Sequence, residues 1–253
     1  MENASKALII AGGVLVSMII ISLLVVFYNS ITSLQSTKQS IKAEEQSAEF
    51  NKQFEGYAKN NIIGSEFLSL VNRVIDYNRR YTNDGYYNYT QMTLNITFNN
   101  SIDIITANNN ILSQARATQL SIVENQQYNQ DEFKSIIDGI QSEIDRLGSY
   151  RTTSGRIIDM NTVLALRTVQ NNSLGTYTDN INNQIIHSEF TYYLSQIGVQ
   201  PNEFNEVQNA RTTYTNLKSV LTQIKSKRFN ANIDQWQYDQ NTGRLTDIVF
   251  TES

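Results

Sequence analysis

One stretch near the start of the chain restricts its fold more than any other feature. Residues 7–37 contain no charged side chain, and Ala7 to Tyr28 (ALIIAGGVLVSMIIISLLVVFY) is almost wholly apolar. At the helical rise these positions span about 33 Å, close to the roughly 30 Å hydrocarbon core of a bilayer. A helix buried in a soluble core seldom stays apolar beyond about 14 residues, so length alone favours a transmembrane helix. The segment also differs from a secretory signal. Its start carries Lys6 offset by Glu2, the run is long, and no small-x-small cleavage site follows Tyr28. The expectation is a retained single-pass anchor. Lys6 on one side is nearly balanced by Lys38 and Lys42 on the other. The N-terminus is placed in the cytoplasm and the body outside, because a chain of 253 residues without cysteine suits an extracytoplasmic surface.

Composition narrows the chemistry. The chain has no Cys and a single His, which excludes disulfide frameworks, thiol nucleophiles, Cys-ligated zinc and multi-histidine metal sites. A net charge of −4 gives no electrostatic reason to bind nucleic acid. Asn and Gln together supply 50 residues, a polar, charge-poor composition closer to surface and fibre proteins than to cytosolic enzymes.

The pattern behind the anchor predicts an α+β fold. No helix breaker follows Tyr28 until Gly56, so residues 29–60 read as a helical stalk with apolar positions Ile31, Leu34, Ile41, Ala48, Phe54 and Tyr57. Lys38 and Glu45 interrupt that stripe. Anchor and stalk together would run about 80 Å. Gly56 to Gly64 bends the chain, and Ser65 to Asn78 forms a helix presenting Phe67, Leu70, Val71, Val74 and Ile75. A turn is expected at 83–85. Met92, Leu94, Ile96 and Phe98 alternate with polar residues, the mark of a half-buried strand.

Helices are predicted over 108–126, 131–147, 160–171 and 201–227. The second has Asn129 as cap, Glu132 three residues on and Gly148 as a left-handed stop. The runs 229–238 and 244–251 form a hairpin closed by Asp239 to Gly243, with glycine in the left-handed position. With 92–98 they make at least a three-stranded antiparallel sheet on which the helices fold. The organisation is thus 1–28 tail and transmembrane helix, 29–60 stalk, and 61–253 head with a helical insertion at about 108–225. Residues 62–78 and 157–173 share a leading Ile pair and an apolar centre, which is weak grounds for a duplication.

No motif points to catalysis. His187 beside Ser188 and Glu189 lacks a third group to complete an acid–base site. Asp138, Glu143 and Asp145 fall on the solvent side of the 131–147 helix. Asp239-x-Asn241-x-Gly243 begins like a calcium loop, but Arg244 and Phe250 occupy positions that need Gly and Glu. Lys225, Lys227 and Arg228 suit the negative end of the helix before them. The sequons at Asn88, Asn95, Asn99 and Asn171 are expected by chance in so Asn-rich a chain. No cofactor, metal or catalytic residue is expected.

Two groups remain as contact candidates. Gly12 and Gly13 permit close helix packing inside the membrane. Tyr81, Tyr86, Tyr87 and Tyr89, with Tyr192 and Tyr193, combine apolar area with a hydrogen-bonding tip and could form a contact surface.

The opening MENASKALIIAGG, the segment EFNKQFEGYAKNNIIGSEFLSLVNRVIDYN and the closing YDQNTGRLTDIVF resemble uncharacterised single-pass envelope proteins of anaerobic Gram-positive bacteria. The likeness covers the first ~80 and last ~30 residues and implies no enzyme activity. The wider architecture is similar to type IV pilins, which join an apolar N-terminal helix to a head with an antiparallel sheet. The chain differs from pilins in having no basic leader before the apolar run and its early acid, Glu2, outside it. The resemblance implies a non-catalytic, membrane-anchored structural protein, pilin-like or part of a pilus or secretion apparatus. Its partners would be the lipid bilayer and either itself or other envelope-assembly subunits, with no nucleic acid. The alternative is an anchored adhesin or sensor that binds through its tyrosine-rich surfaces.

Overall fold

A computed structural model describes residues 2–83, 91–104, 111–165, 177–179, 184–186 and 189–253. The described chain divides into two compact units, Met1–Glu55 with Tyr238–Leu245, and Gly56–Gln237 with Thr246–Ser253.

The first unit is built on α1, Glu2–Glu55, a single helix of 54 residues. No proline or inserted turn interrupts it, so the apolar run and the following polar stretch share one axis. The apolar stripe expected along its second half is largely uncovered. Ile31, Leu34 and Ile41 are exposed, as is Ala48, and the buried positions are Ser47, Asn51 and Phe54.

The second unit mixes helices with a small sheet. Its elements are β1 (Ile62–Ile63), α2 (Gly64–Asn83), β2 (Thr93–Thr97), α3 (Gln114–Leu120), β3 (Gln127–Asn129), α4 (Gln130–Gly148), β4 (Ser149–Arg151), β5 (Ile157–Asp159), α5 (Met160–Ala165), β6 (Tyr177–Asp179), β7 (Gln184–Ile186), α6 (Glu189–Gln196), α7 (Phe204–Ser226) and β8 (Arg228–Ala231). The chain closes with β9 (Gln237–Tyr238) and β10 (Leu245–Glu252). The main sheet has the order β1-β8-β10-β2-β3, and β9 pairs with β10 off that path.

The expected strand over 92–98 is present, with Met92, Leu94, Ile96 and Phe98 fully buried and the intervening residues partly exposed. The expectation of an antiparallel sheet needs correction at its centre. β2 runs parallel to β10, pairing Leu94 with Ile248 and Ile96 with Phe250. Such a pair requires a crossover rather than a turn, and α3 to α7 lie in the chain between these strands. The other pairings of the main path, β1 with β8, β8 with β10, and β2 with β3, are antiparallel.

Helices α2, α4 and α7 pack on one another, and α2 and α4 reach β2. Where α2 and α4 meet the sheet lies a phenylalanine cluster. The Phe67 ring stacks on Phe229 at 4.3 Å and meets Phe250 edge-on at 5.1 Å. Phe98 lies 5.6 Å from both Phe133 and Phe229. Aromatic pairs at these separations contribute about 0.5–1.5 kcal/mol each beyond their area burial. Gly64 is required where α2 begins: a Cβ there would sit 2.1 Å from the Ile224 carbonyl oxygen, and its own N–H donates to Lys227.

The α4 N-terminus follows the sequence expectation. Asn129 accepts from the Asp131 and Glu132 amides, and Glu132 accepts from the Asn129 amide. Gly148 is not a left-handed stop: it is the last residue of α4, and the chain passes directly into β4. Of the helix expected over 108–126, residues 108–110 lie outside the described residues, and over 111–126 the helix is limited to α3. Ser121 ends it, Ile122 bridges to Ile102, and Gln127 enters β3, because backbone pairing across the chain outweighs the local helical spacing. The helix expected over 160–171 is described as far as Ala165. Segments 62–78 and 157–173 both begin as a short strand that runs into a helix.

Among the described residues every buried side-chain polar atom has a hydrogen-bond partner. Lys227 forms an ion pair with Glu252, whose side chain is 5% exposed. The second Glu252 oxygen accepts from the Asn99 and Asn100 amides, and the Asn99 amide group donates to the Glu252 carbonyl. The basic segment after α7 therefore fastens the end of β10, with Arg228 donating to the Asn61 carbonyl.

Candidate membrane segment and its hairpin clasp

α1 is the one described helix long and apolar enough to cross a bilayer. Its most apolar window reaches a mean hydropathy of 2.9, and none of that window is buried within the protein. The side chains from Leu8 to Tyr28 point outward on every face of the helix, so no dry side is turned toward a core. The serine hydroxyls along the run and just past it are satisfied within the helix. Ser17 donates to the Gly13 carbonyl at 2.5 Å, Ser22 to Met18 at 2.8 Å and Ser30 to Val26 at 2.8 Å. Hydroxyls bonded in this way need no water, which is the requirement for placing them in hydrocarbon. Gly12 and Gly13 lie in this run with nothing within 4 Å of an added Cβ.

The other end of α1 is gripped by the tip of the C-terminal hairpin. The Asn51 side chain donates to the Gly243 carbonyl at 2.9 Å and accepts from the Leu245 amide at 2.8 Å. One amide thus satisfies a donor and an acceptor of the hairpin backbone. Arg244 lies over the Phe50 ring at 5.3 Å, and Phe50 packs on Phe54 at 5.2 Å. The tip itself is held by Asp239, whose carboxylate accepts from the Asn241 amide and from both the amide and hydroxyl of Thr242. Gly243 takes φ +66°, as expected for the closing turn. Partial burial, and then the Glu55 carboxylate, push the Tyr238 hydroxyl above the ordinary phenol range. Nothing in the local sequence distinguishes Asn51 from the other asparagines; its role follows from a partner 192 residues away.

A second carboxylate group sits at the start of α7, in the other unit. Glu203 accepts from the Ser154 amide at 2.5 Å and hydroxyl at 2.8 Å, and from the Gln200 amide. Glu206 accepts from Thr153 and from the Tyr150 hydroxyl at 2.6 Å. Burial, then the Glu206 bond and charge, raise Tyr150 far above the usual phenol value. Burial pushes Glu203 upward, but the Ser154, Gln200 and Thr152 hydrogen bonds outweigh it and leave its carboxyl below the ordinary range. Both acids are occupied in holding the β4–β5 turn.

The remaining candidates are dispersed. Asp138 is exposed and pairs with Lys134, and Asp145 is exposed and accepts from Gln141. Glu143 differs from expectation: its side chain is 14% exposed, between Arg116 and Arg146. Asp138 lines an open groove with Ile75, Arg116, Asp131, Lys134 and Ser142, whose charges are of both signs. Tyr192 is 61% exposed and Tyr193 partly so, both on α6. The side chain of Tyr81, together with Tyr86, Tyr87, Tyr89 and His187, lies outside the described residues. Among the described residues no three His, Asp or Glu side chains gather to hold a metal ion. No family model, curated protein or solved structure matches the chain.

Proposed function

We propose that this is a non-catalytic, single-pass membrane protein whose apolar helix anchors an extracytoplasmic body, in the manner of a pilin-like subunit or a component of a pilus or secretion apparatus. The observation that carries this reading is α1 itself, whose apolar window has no buried part and no internal hydrophobic partner. The 14 Leu, Ile, Val and Phe residues between Ala7 and Tyr28 would favour insertion. At about 0.3–0.6 kcal/mol each near the bilayer centre, they outweigh the few small and hydroxylated positions. The non-catalytic reading is supported by the acids Glu203, Glu206, Glu252 and Asp239, each of which is committed to backbone or side-chain donors of the fold.

Fractionation tests the anchor. The full chain should stay with membranes through an alkaline wash and leave them in detergent; recovery in the soluble fraction with residues 7–28 intact refutes the reading. Ser253→Cys, in a chain without other thiols, tests orientation. A membrane-impermeant maleimide should label it on intact cells, and labelling only after lysis places the body inside.

A further inference from the structure

In the second unit, α2, α3 and α4 line an open groove of about 520 Å³, and the charges along it are ordered. Its floor is α4, where Asp131, Lys134, Ser135, Asp138 and Ser142 recur at steps of three and four and so share one face. Ile75 of α2 adds an apolar wall and Arg116 of α3 a cationic one. Gly139 lets α3 come this close: an added Cβ would lie 2.5 Å from Leu120 Cδ2 and 3.3 Å from Arg116 Nη2. The guanidinium is held over that turn, with Nη1 donating to Gln119 and Nε 3.6 Å from Glu143. Among the described residues Nη2 has no acceptor, and the Ser135 and Ser142 hydroxyls, a turn to either side, have no partner. Other helical hydroxyls of this unit, at Ser69, Thr118 and Thr222, bond back to their own helix. Three donors thus stand at one end of the groove without an acceptor.

The charge balance differs from end to end. Arg116 and Arg146 share the single carboxylate of Glu143, leaving one positive charge in excess beside Gly139. Lys134 and Asp138 cancel in the middle. Asp131, at the far end, pairs with no cation among the described residues and accepts from the neutral Gln130 side chain. Asp131 and Gly139 are eight residues apart, about 12 Å along the helix.

We propose that this groove binds a short peptide with free termini, about three residues long and extended along α4. Its C-terminal carboxylate meets Arg116 and the two serines, and its N-terminal ammonium meets Asp131. A planar guanidinium with an open edge matches the geometry of a carboxylate. An extended chain advances about 3.3–3.6 Å per residue, so three residues reach from one charged end to the other, whereas a free amino acid reaches one end only. The side chain of the middle residue can rest on Ile75. Because the two ends carry opposite excess charge, the groove favours a zwitterion over a peptide blocked at either terminus. The site lies wholly outside α1 and is independent of the anchored reading above.

Calorimetric titration of the detergent-solubilised full chain with tri-L-alanine tests this. Tri-alanine should bind, and its N-acetyl and C-terminal amide forms should each bind about fivefold more weakly, the upper end for one exposed ion pair. Alanine alone should give no measurable heat. Arg116→Gln should erase the preference for a free carboxylate and keep that for a free ammonium; Asp131→Asn should do the reverse. A merely structural role for either residue would weaken all the ligands together and leave both preferences in place. No binding of tri-alanine, equal binding of the blocked forms, or binding of alanine as tight as that of the tripeptide overturns the proposal. So does a variant that acts on both termini alike. If Arg116→Gln fails to fold, the ligand series on the unaltered chain and on Asp131→Asn still decides. Tripeptide binding by a chain recovered in the soluble fraction would refute the anchor and leave the groove standing, and a membrane-bound chain that ignores the tripeptide would do the opposite.

Discussion

α1 and α7 are both unbroken helices, of 54 and 23 residues, yet their apolar side chains are arranged in opposite ways. α7 buries Val207, Tyr214, Leu217, Leu221 and Ile224 along one stripe, with Thr212, Thr215, Lys218, Thr222 and Lys225 toward water. The first half of α1 is apolar on every side and buries none of it. A one-sided stripe is satisfied by a neighbouring element, as α7 is by α2 and α4. An all-round apolar surface has no single side to bury, and its length makes α1 a candidate membrane span. Where apolar residues fall around the axis, and not only how many there are, decides which phase receives the helix.

Substitutions on the two sides of this comparison should separate cleanly. Phe67→Ala removes the ring on which Phe229 and Phe250 pack and should destabilise the body by about 3–5 kcal/mol. Thermal unfolding of the detergent-solubilised chain measures this, and membrane association should be unchanged. Ile20→Lys should do the reverse. A charge at the middle of the apolar run costs about 2.5–3.5 kcal/mol of insertion, lowering the membrane fraction while unfolding of the body stays as before. An effect of Ile20→Lys on unfolding of the body would break the comparison.

A smaller effect is expected at the clasp. Asn51→Ala leaves the Gly243 carbonyl and Leu245 amide without their partner, a cost of about 1–3 kcal/mol where such groups are buried. It should appear as faster hydrogen exchange at the Leu245 amide and easier proteolysis between Asp239 and Gly243, with exchange in α4 unaffected. The smallest expected effect is a pH dependence at the β4–β5 turn. Glu203 is held below its ordinary value of 4.5, so its stabilisation is present above that value and lost as pH falls through the depressed one. The protection of the Ser154 amide, taken relative to its intrinsic exchange rate at each pH, should therefore fall on acidification, and Glu203→Gln should flatten that response.

Much of the fold was legible because it is local. The helix over 131–147 has its cap, its box and its stripe within one segment, and Asn129, Glu132, Phe133, Ile136 and Ile140 behave as that pattern requires. The strand over 92–98 and the turn at Gly243 are equally local. Where a long-range partner competes with the local pattern, the sequence misleads. Residues 121–126 keep a helical spacing yet do not continue α3, and the two-residue strand at Ile62 is visible only through its partner Phe229. The stretches 49–78 and 238–250, quoted above as resembling envelope proteins, supply both the clasp and two members of the phenylalanine cluster. As for the contact candidates, Tyr192 is exposed on α6 and the glycines lie on the bare helix, but no geometry joins them into one site.

The sequence by itself determined that this chain carries a helix long and apolar enough to cross a membrane and a body that can build a core, since both follow from residue type and spacing along a few turns. Only the tertiary structure decided that β2 and β10 run parallel, that Gly64 must lack a side chain, and that one asparagine near the end of α1 holds the C-terminal hairpin. Those facts depend on which distant backbone groups meet. A hydrogen bond needs its partner at about 3 Å, and no local periodicity specifies where residues nearly two hundred positions away will arrive.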